Sequence, residues 1–519
     1  MEPGTEEKIK RLREIKQKAL LGGGQDKIDR QHQRGKLSAR ERIDLLLDPG
    51  SFTEINMLLG YADGNAGEGV ISGHGTIDGR PVCIYAQDVT VRSGAMGLRH
   101  GLKLYQAMET ALKMEVPIIG LDDSPGALVL RPDEPDELEH EKGQGAIFYP
   151  NTLASGFIPQ ITAVLGTCAG LAVYSPGLND FILMVDGISH MFITGPRIVK
   201  SVMSEDIDKE ELGGARMHAR VSGICDFRLP NEQECMQKIR KLLSFLPLNC
   251  KESPPLVDTG DDPDRMDDSL ADIIPVDYRK GYDIRKIIIR LVDSEDFLEV
   301  KKEFAPEMVT GFGRLDKQTV GIIANQPMTL SGALTINSSR KEARFIRFCD
   351  AFNIPVIMVV DTTAYAPGKE QERGAIIHHG AKVLYALCEA TVPRIAIVLR
   401  KVYGGGCLGM GVDNGLGTDL ALAWPMMETG IMGAKETVAL FHTEEVKNAE
   451  NPEEHRNYLI KLYEERYGNP IYGASIGRWN IENIIEPRET RSSLIHALRL
   501  LRRKKVVTRY PKKHGNIPL

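Results

Sequence analysis

No stretch of this 519-residue chain approaches the roughly 20 consecutive apolar residues that cross a bilayer, so no membrane insertion is expected. The opening MEPGTEEKIKRLREIKQKAL lacks the apolar centre of an export signal; the expected location is the cytoplasm, or the mitochondrial matrix if a transit peptide has been removed. The eight cysteines (Cys83, Cys168, Cys225, Cys235, Cys250, Cys349, Cys388 and Cys407) show neither CxxC nor Cys/His spacing. That removes a zinc ribbon and a disulfide framework, leaves packed, reduced thiols, and predicts no metal site. The net charge of -6 provides no basic field for nucleic acid, and the run Arg502 to Lys505 with Lys512 and Lys513 reads as a solvated terminal helix. A GxxxxGK[ST] phosphate loop is missing, so ATP-driven chemistry belongs elsewhere. No Ser/His/Asp set or carboxylate pair stands out as acid and base.

The chain does have an ordinary globular composition, 42% hydrophobic and 26% charged, over a length too great for one core. Residues 5 to 50 read as packed helices interrupted by GGG at 22 to 24 and stopped by Asp48-Pro49-Gly50. From Gly69 onward short strands alternate with helices: a hairpin turning at Asp78-Gly79, a helix from about Gly97 to Lys113, then the strand VPIIGLDDS. This alternation predicts α/β structure.

The same order then recurs. GTIDGRPV at Gly75 matches GRLDKQTV at Gly313, Ser93-Gly94-Ala95 matches Ser331-Gly332-Ala333, and Asp123 matches Asp361, all offset by 238. Further on, Pro159 matches Pro393 and Gly170 matches Gly404 at an offset of 234. An offset held from turn to strand to strand end predicts two homologous domains, 1–255 and 256–519, joined through the Pro- and Asp-rich segment Lys251 to Asp272. The slip is assigned to the acidic loop at 128 to 143. In the second repeat the apolar run Ile395 to Leu399 leads into Gly404-Gly405-Gly406, where main-chain N–H groups can approach a ligand closely and, at a helix start, hold an anion. A glycine triplet alone more often serves packing; the equivalent turn CAGLA at 168 to 172 makes two anion-holding turns available.

Long segments carry a resemblance. HQRGKLSARERIDLLLDPGSF at 32 to 52, YPNTLASGFIPQITAVLGTCAGLAVYSP at 149 to 176, FITGPRIVKSVMSEDIDKEELGGA at 192 to 215, INSSRKEARFIRFCDAFNIPVI at 336 to 357, HHGAKVLYALCEATVPRIAIVLRKVYGGG at 378 to 406, AWPMMETGIMGAK at 423 to 435 and the terminal KKHGNIPL are similar to the carboxyltransferase (β) subunits of biotin-dependent acyl-CoA carboxylases of the propionyl-CoA carboxylase type. The resemblance implies two tandem crotonase-like βαβ-spiral domains and carboxyl transfer through a thioester enolate. It also implies a homohexamer built as a trimer of dimers, with carboxybiotin arriving on a carrier protein served by a biotin carboxylase subunit, or by decarboxylase subunits. Backbone N–H groups hold two oxyanions in that family. By position these fall to Gly405 and Gly406 in the second repeat and to Gly170, Leu171 and Ala172 in the first. Ser93, Gly94, Ala95, Ser124, Gly126 and Ala127 are the candidates for CoA walls, with Tyr365, Gly404, Cys407 and Leu408 toward the acyl group.

Four departures bear on substrate. Ser124-Pro125-Gly126-Ala127 stands where relatives read SGGA; GGGCLG at 404 to 409 where they read GGAYDV; DTTAYAPG at 361 to 368 where they read DVPGFLPG; and His378 where arginine is usual. Pro125 removes an N–H donor. Leu408 replaces an acidic residue associated with short acyl chains, so a bulkier, more apolar or unsaturated substrate is expected. The same chemistry in reverse, as in a decarboxylase α subunit or a transcarboxylase, is the main alternative, and a non-catalytic scaffold a lesser one. A crotonase-like hydratase would need a glutamate pair that is missing. Ala111 to Met114 imitates a biotin-attachment sequence but reads as a helix end, His378-His379 as packing, and Trp424 as core.

Overall fold

The computed structural model describes residues 4–129, 144–466, 468–476, 481–506 and 513–518. Residues 130–143, most of the loop charged with the register slip, lie outside these, as do Lys512 and Leu519. The chain divides into two compact units, Met1–Glu252 and Ser253–Leu519.

Unit 1 holds β1 (Thr53–Ile55), β2 (Val70–Ile77), β3 (Arg80–Gln87), β4 (Ile118–Ser124), β5 (Gln160–Ala169), β6 (Phe181–Val185), β7 (His190–Phe192) and β8 (Phe227–Leu229). The sheet order is β1-β2-β3-β4-β5-β6-β8, with β7 continuing beside β5. The first three strands are antiparallel and the rest parallel. Unit 2 holds β9 (Leu298–Val300), β10 (Met308–Leu315), β11 (Gln318–Asn325), β12 (Val356–Thr362), β13 (Arg394–Tyr403), β14 (Leu420–Ala423), β15 (Glu428–Gly430) and β16 (Asn483–Ile484). Its order is β9-β10-β11-β12-β13-β14-β16, with β15 beside β13. The bounds of β2, β3 and β4 recur 238 residues later in β10, β11 and β12, and those of β5 recur 234 later in β13. This is the tandem crotonase-like α/β architecture.

Local chemistry explains the repeat. Each hairpin needs two positive φ angles: Asp78 and Gly79 supply 51° and 75°, Asp316 and Lys317 supply 50° and 72°. A carboxylate receives both turn N–H groups in each unit, Asp48 in the first and Asp293 in the second. The central strands are β-branched and apolar because both sheet faces are covered; every residue of β12 is buried, and so is β13 as far as Val402. Ile395, Ile397 and Leu399 of β13 pack with Ile357, Val359 and the fully buried Trp424, whose indole donates to Thr490 Oγ1 at 2.8 Å. Helix Leu98–Met114 covers the first sheet and helix Ile336–Ala351 occupies the equivalent place in the second. Lys113 is exposed at the end of the former, as a helix end rather than a displayed biotin site. His378 is exposed and His379 half-buried, so the pair is not core packing within the chain.

Candidate active site

In unit 2, β13 ends at Tyr403, Gly404 turns the chain, and helix Gly405–Gly409 begins at once. Gly404 has φ 47° and ψ -129°, and a Cβ there would lie 2.8 Å from the Ile431 carbonyl oxygen. Its own N–H donates to the Gly430 carbonyl at 2.8 Å, fastening the turn to the end of β15. The next N–H groups, of Gly405 and Gly406, find no acceptor among the described residues, as befits the first donors of a helix. Cys407 donates back to the Gly404 carbonyl at 3.2 Å. Two free amide donors are therefore presented side by side, one exposed and one buried. Such a pair suits an oxygen that gains negative charge. Tyr365 lies against this turn, its Cδ2 3.2 Å from where a Gly405 Cβ would stand. Leu408 is 40% exposed beside the donors. Burial pushes the Cys407 thiol up to about 11, so it sits there as a neutral packing group and not as a thiolate nucleophile.

Unit 1 repeats the arrangement with a tighter coil. After β5, Gly170 takes φ 57° and opens the 3-10 turn Gly170–Val173, which runs into helix Tyr174–Leu178. Gly170 and Leu171 are half-buried and Ala172 is buried. The structure brings the other first-unit candidates to the same edge. Ser93 and Gly94, at φ 57° and 75°, form the turn after β3, and Ser124 Oγ donates to the Gly94 carbonyl at 2.6 Å. Met96 N–H donates to the Gly126 carbonyl at 2.8 Å, and a Gly126 Cβ would stand 3.8 Å from the Gly170 Cα. Ser93 to Ala95, Ser124 to Ala127 and Gly170 to Ala172 thus gather at the carboxyl ends of β3, β4 and β5, where open α/β sheets place their ligands.

Beneath each edge lies an aspartate at the repeat offset. Asp123 accepts from Lys36, and from Arg42 at 3.3 Å; Arg42 also pairs with Glu232 at 2.8 Å. Asp361 accepts from the Tyr282 hydroxyl at 2.8 Å, from Arg400 Nε at 3.0 Å and from the Lys401 N–H at 3.2 Å. Burial raises the Asp361 carboxyl above the ordinary range, and the Arg400 guanidinium opposes that shift. Lys401 Nζ donates to the Tyr278 carbonyl at 2.7 Å, so neither basic residue near the end of β13 is simply solvated. These buried pairs brace the strand ends, and sequence reasoning missed their partners; the recurrence of Asp123 at Asp361 was the available signal. It also missed Gly430 and Ile431, whose counterparts at the 238 offset are Phe192 and Ile193.

A carboxyl transferase domain model matches residues 30–517. The propionyl-CoA carboxylase carboxyltransferase subunit of Haloferax mediterranei is 44% identical over 99% of both chains. The methylmalonyl-CoA decarboxylase α subunit of Veillonella parvula is 45% identical, again over 99% of each. Among solved structures, the transcarboxylase 12S hexamer with methylmalonyl-coenzyme A bound superposes at a TM-score of 0.93, with 41% identity, across 100% of this chain and 99% of that one.

Proposed function

This chain belongs to the carboxyl transferase family, and on that premise we propose that it moves a carboxyl group between carboxybiotin and the α or vinylogous carbon of an acyl-CoA. It is a biotin-dependent acyl-CoA carboxyltransferase. The observation that carries the site assignment is the pair of equivalent strand-to-helix turns, each beginning at a glycine of positive φ and each followed by the first amides of a short helix. Carboxybiotin, when bound, supplies the carboxyl group and a basic ring nitrogen, so the chain need not provide a general base.

The chain's own part is to hold charge. The Gly405 and Gly406 N–H groups are assigned to the acyl thioester oxygen as it becomes negative, and those of Gly170, Leu171 and Ala172 to the biotin ureido oxygen. Ser93 to Ala95 with Ser124, Gly126 and Ala127 are assigned to the CoA moiety, and Tyr365, Gly404, Cys407 and Leu408 to the acyl end. An exposed leucine beside the donors supports an acyl group more apolar than propionyl. The proposed assembly is a homohexamer, the state named for the similar transcarboxylase, served by a separate biotin carrier and biotin carboxylase in the cytoplasm or matrix. Reversal of the same chemistry is the second reading, favoured by the equal likeness to a decarboxylase α subunit.

The test is transfer of labelled carboxyl from a carboxylated biotin carrier, or from free carboxybiotin, across a panel of acyl-CoAs. Turnover on at least one acyl-CoA is expected; none on any would leave the chain a scaffold. Gly405→Pro should lower the rate on the order of a hundredfold or more, about 3 kcal/mol, because it deletes one N–H at a position where a helix tolerates proline. Gly405→Ala, which keeps the donor, should lose far less.

A further inference from the structure

Behind the Gly405–Gly409 turn lies a group of polar side chains that the proposed chemistry does not use. Helix Ile336–Ala351 turns Ser339 and Glu342 inward, and both are 0% exposed. Neither oxygen of Glu342 has a hydrogen-bond partner among the described residues, nor has Ser339 Oγ or the Tyr365 hydroxyl. The tyrosine ring reaches them through a slot made by three glycines. Its Cδ2 lies 3.2 Å from where a Cβ of Gly405 would stand, and its hydroxyl lies 2.9 Å and 3.1 Å from the corresponding positions of Gly409 and Gly380. The ring therefore touches the oxyanion turn with one edge. Its hydroxyl lies within reach of the Ser339 side chain, short of good hydrogen-bond geometry, and feels the charge of the Glu342 carboxyl.

Buried oxygen atoms without partners are rare in native proteins, and a group of four calls for a small occupant with donors and acceptors of its own. Burial raises the Glu342 carboxyl well above the usual range and so favours its protonated form, which offers one donor and one acceptor. A neutral carboxyl and two hydroxyls provide no charge for a cation. They suit water, which needs two to four polar partners.

We propose that Glu342, Ser339 and the Tyr365 hydroxyl hold ordered water behind the Gly405–Gly409 turn, and that Tyr365, so anchored, is a positioning residue for the Gly405 and Gly406 donors. The positioning half rests on the oxyanion assignment above; the water site stands without it. The third departure from the family pattern falls here, since it places a hydroxyl at position 365.

The test uses the full chain and the variants Tyr365→Phe, Glu342→Leu and Glu342→Gln. A crystal structure of the unaltered protein is expected to show water within hydrogen-bond distance of all three side chains, and that of Glu342→Leu to lack it. In the transfer assay, Tyr365→Phe and Glu342→Leu should lower kcat about tenfold or more with little change in KM, since misplaced donors act on the transition state. Glu342→Gln, neutral and still able to donate and accept, should restore most of it. A dry cluster in the unaltered protein would overturn the water site. Equal loss in all three variants, or loss in none, would overturn the positioning role. Because the crystallographic result does not depend on turnover, a wrong reaction assignment and a wrong water site are told apart.

Discussion

Gly404 is the residue on which the second turn depends, and its sensitivity can be reasoned from two numbers. A side chain there would be strained at φ 47° and would press on the Ile431 oxygen at 2.8 Å. Gly404→Ala is expected to cost about 1–3 kcal/mol in backbone strain and to swing the next two N–H groups away from the thioester oxygen. Carboxyl transfer should then fall at least tenfold while the circular dichroism spectrum is kept. Four residues on, Leu408 sets a different quantity. Leu408→Asp should move the kcat/KM ratio between a long and a short acyl-CoA by about tenfold toward the short one, in the range one or two methylenes are worth in an apolar pocket. The glycine turn was legible through the repeat, since a triplet alone more often serves packing and its partner at 168 to 172 is what singled it out. Glu342 was not legible. Flanked by Arg340, Lys341 and Arg344, it reads as one more solvated charge, and only packing shows that it points inward.

The same blindness applies at the level of the element. Helices Leu98–Met114 and Ile336–Ala351 each bury a lysine, Lys103 and Lys341, at positions related by the 238 offset. Lys103 donates to the Val70 carbonyl; Lys341 donates to those of Lys301, Phe304 and Met308 at 2.9, 2.8 and 2.6 Å. Each helix is thereby tied to the first strand of its hairpin, β2 or β10. The sequence predicted the first helix and the repeat implied its counterpart, but a pattern that sorts residues into apolar and polar cannot foresee a buried ammonium satisfied by carbonyls. Burial lowers Lys103 to about 8 and Lys341 to about 7. The unfolded chain, with lysines near 10.5, then binds more protons than the native one between about pH 7 and pH 10, so these groups make stability rise with pH across that window. Asp122, raised by burial to about 7, acts oppositely and loses stability between about pH 4 and pH 7. Urea midpoints should therefore climb from pH 7 to pH 9. Lys341→Met should flatten that climb and lower stability by about 2–5 kcal/mol, through the carbonyls it leaves unpaired.

For the whole molecule, the repeat was the most legible feature, since a fixed offset constrains both copies at once; β2 to β4 and β10 to β12 begin and end where subtraction puts them. An assembly could be expected only from the family resemblance, because sequence periodicity does not say which apolar face stays uncovered. The structure shows one such face left open. Helix Pro196–Met203 has no buried residue and leaves Ile198 56%, Val202 72% and Met203 69% exposed, next to the β7 end that lies beside the first turn. If the chain assembles as proposed above, this open helix is expected to be covered by a second copy. Val202→Glu puts a charge where that copy would exclude water, and an unpaired buried charge is expensive enough to break such a contact. The unaltered chain, 57.4 kDa per copy, is expected to sediment as a hexamer and Val202→Glu as a smaller species with an unchanged circular dichroism spectrum. A hexamer that survives the glutamate would place the helix on the outer surface instead.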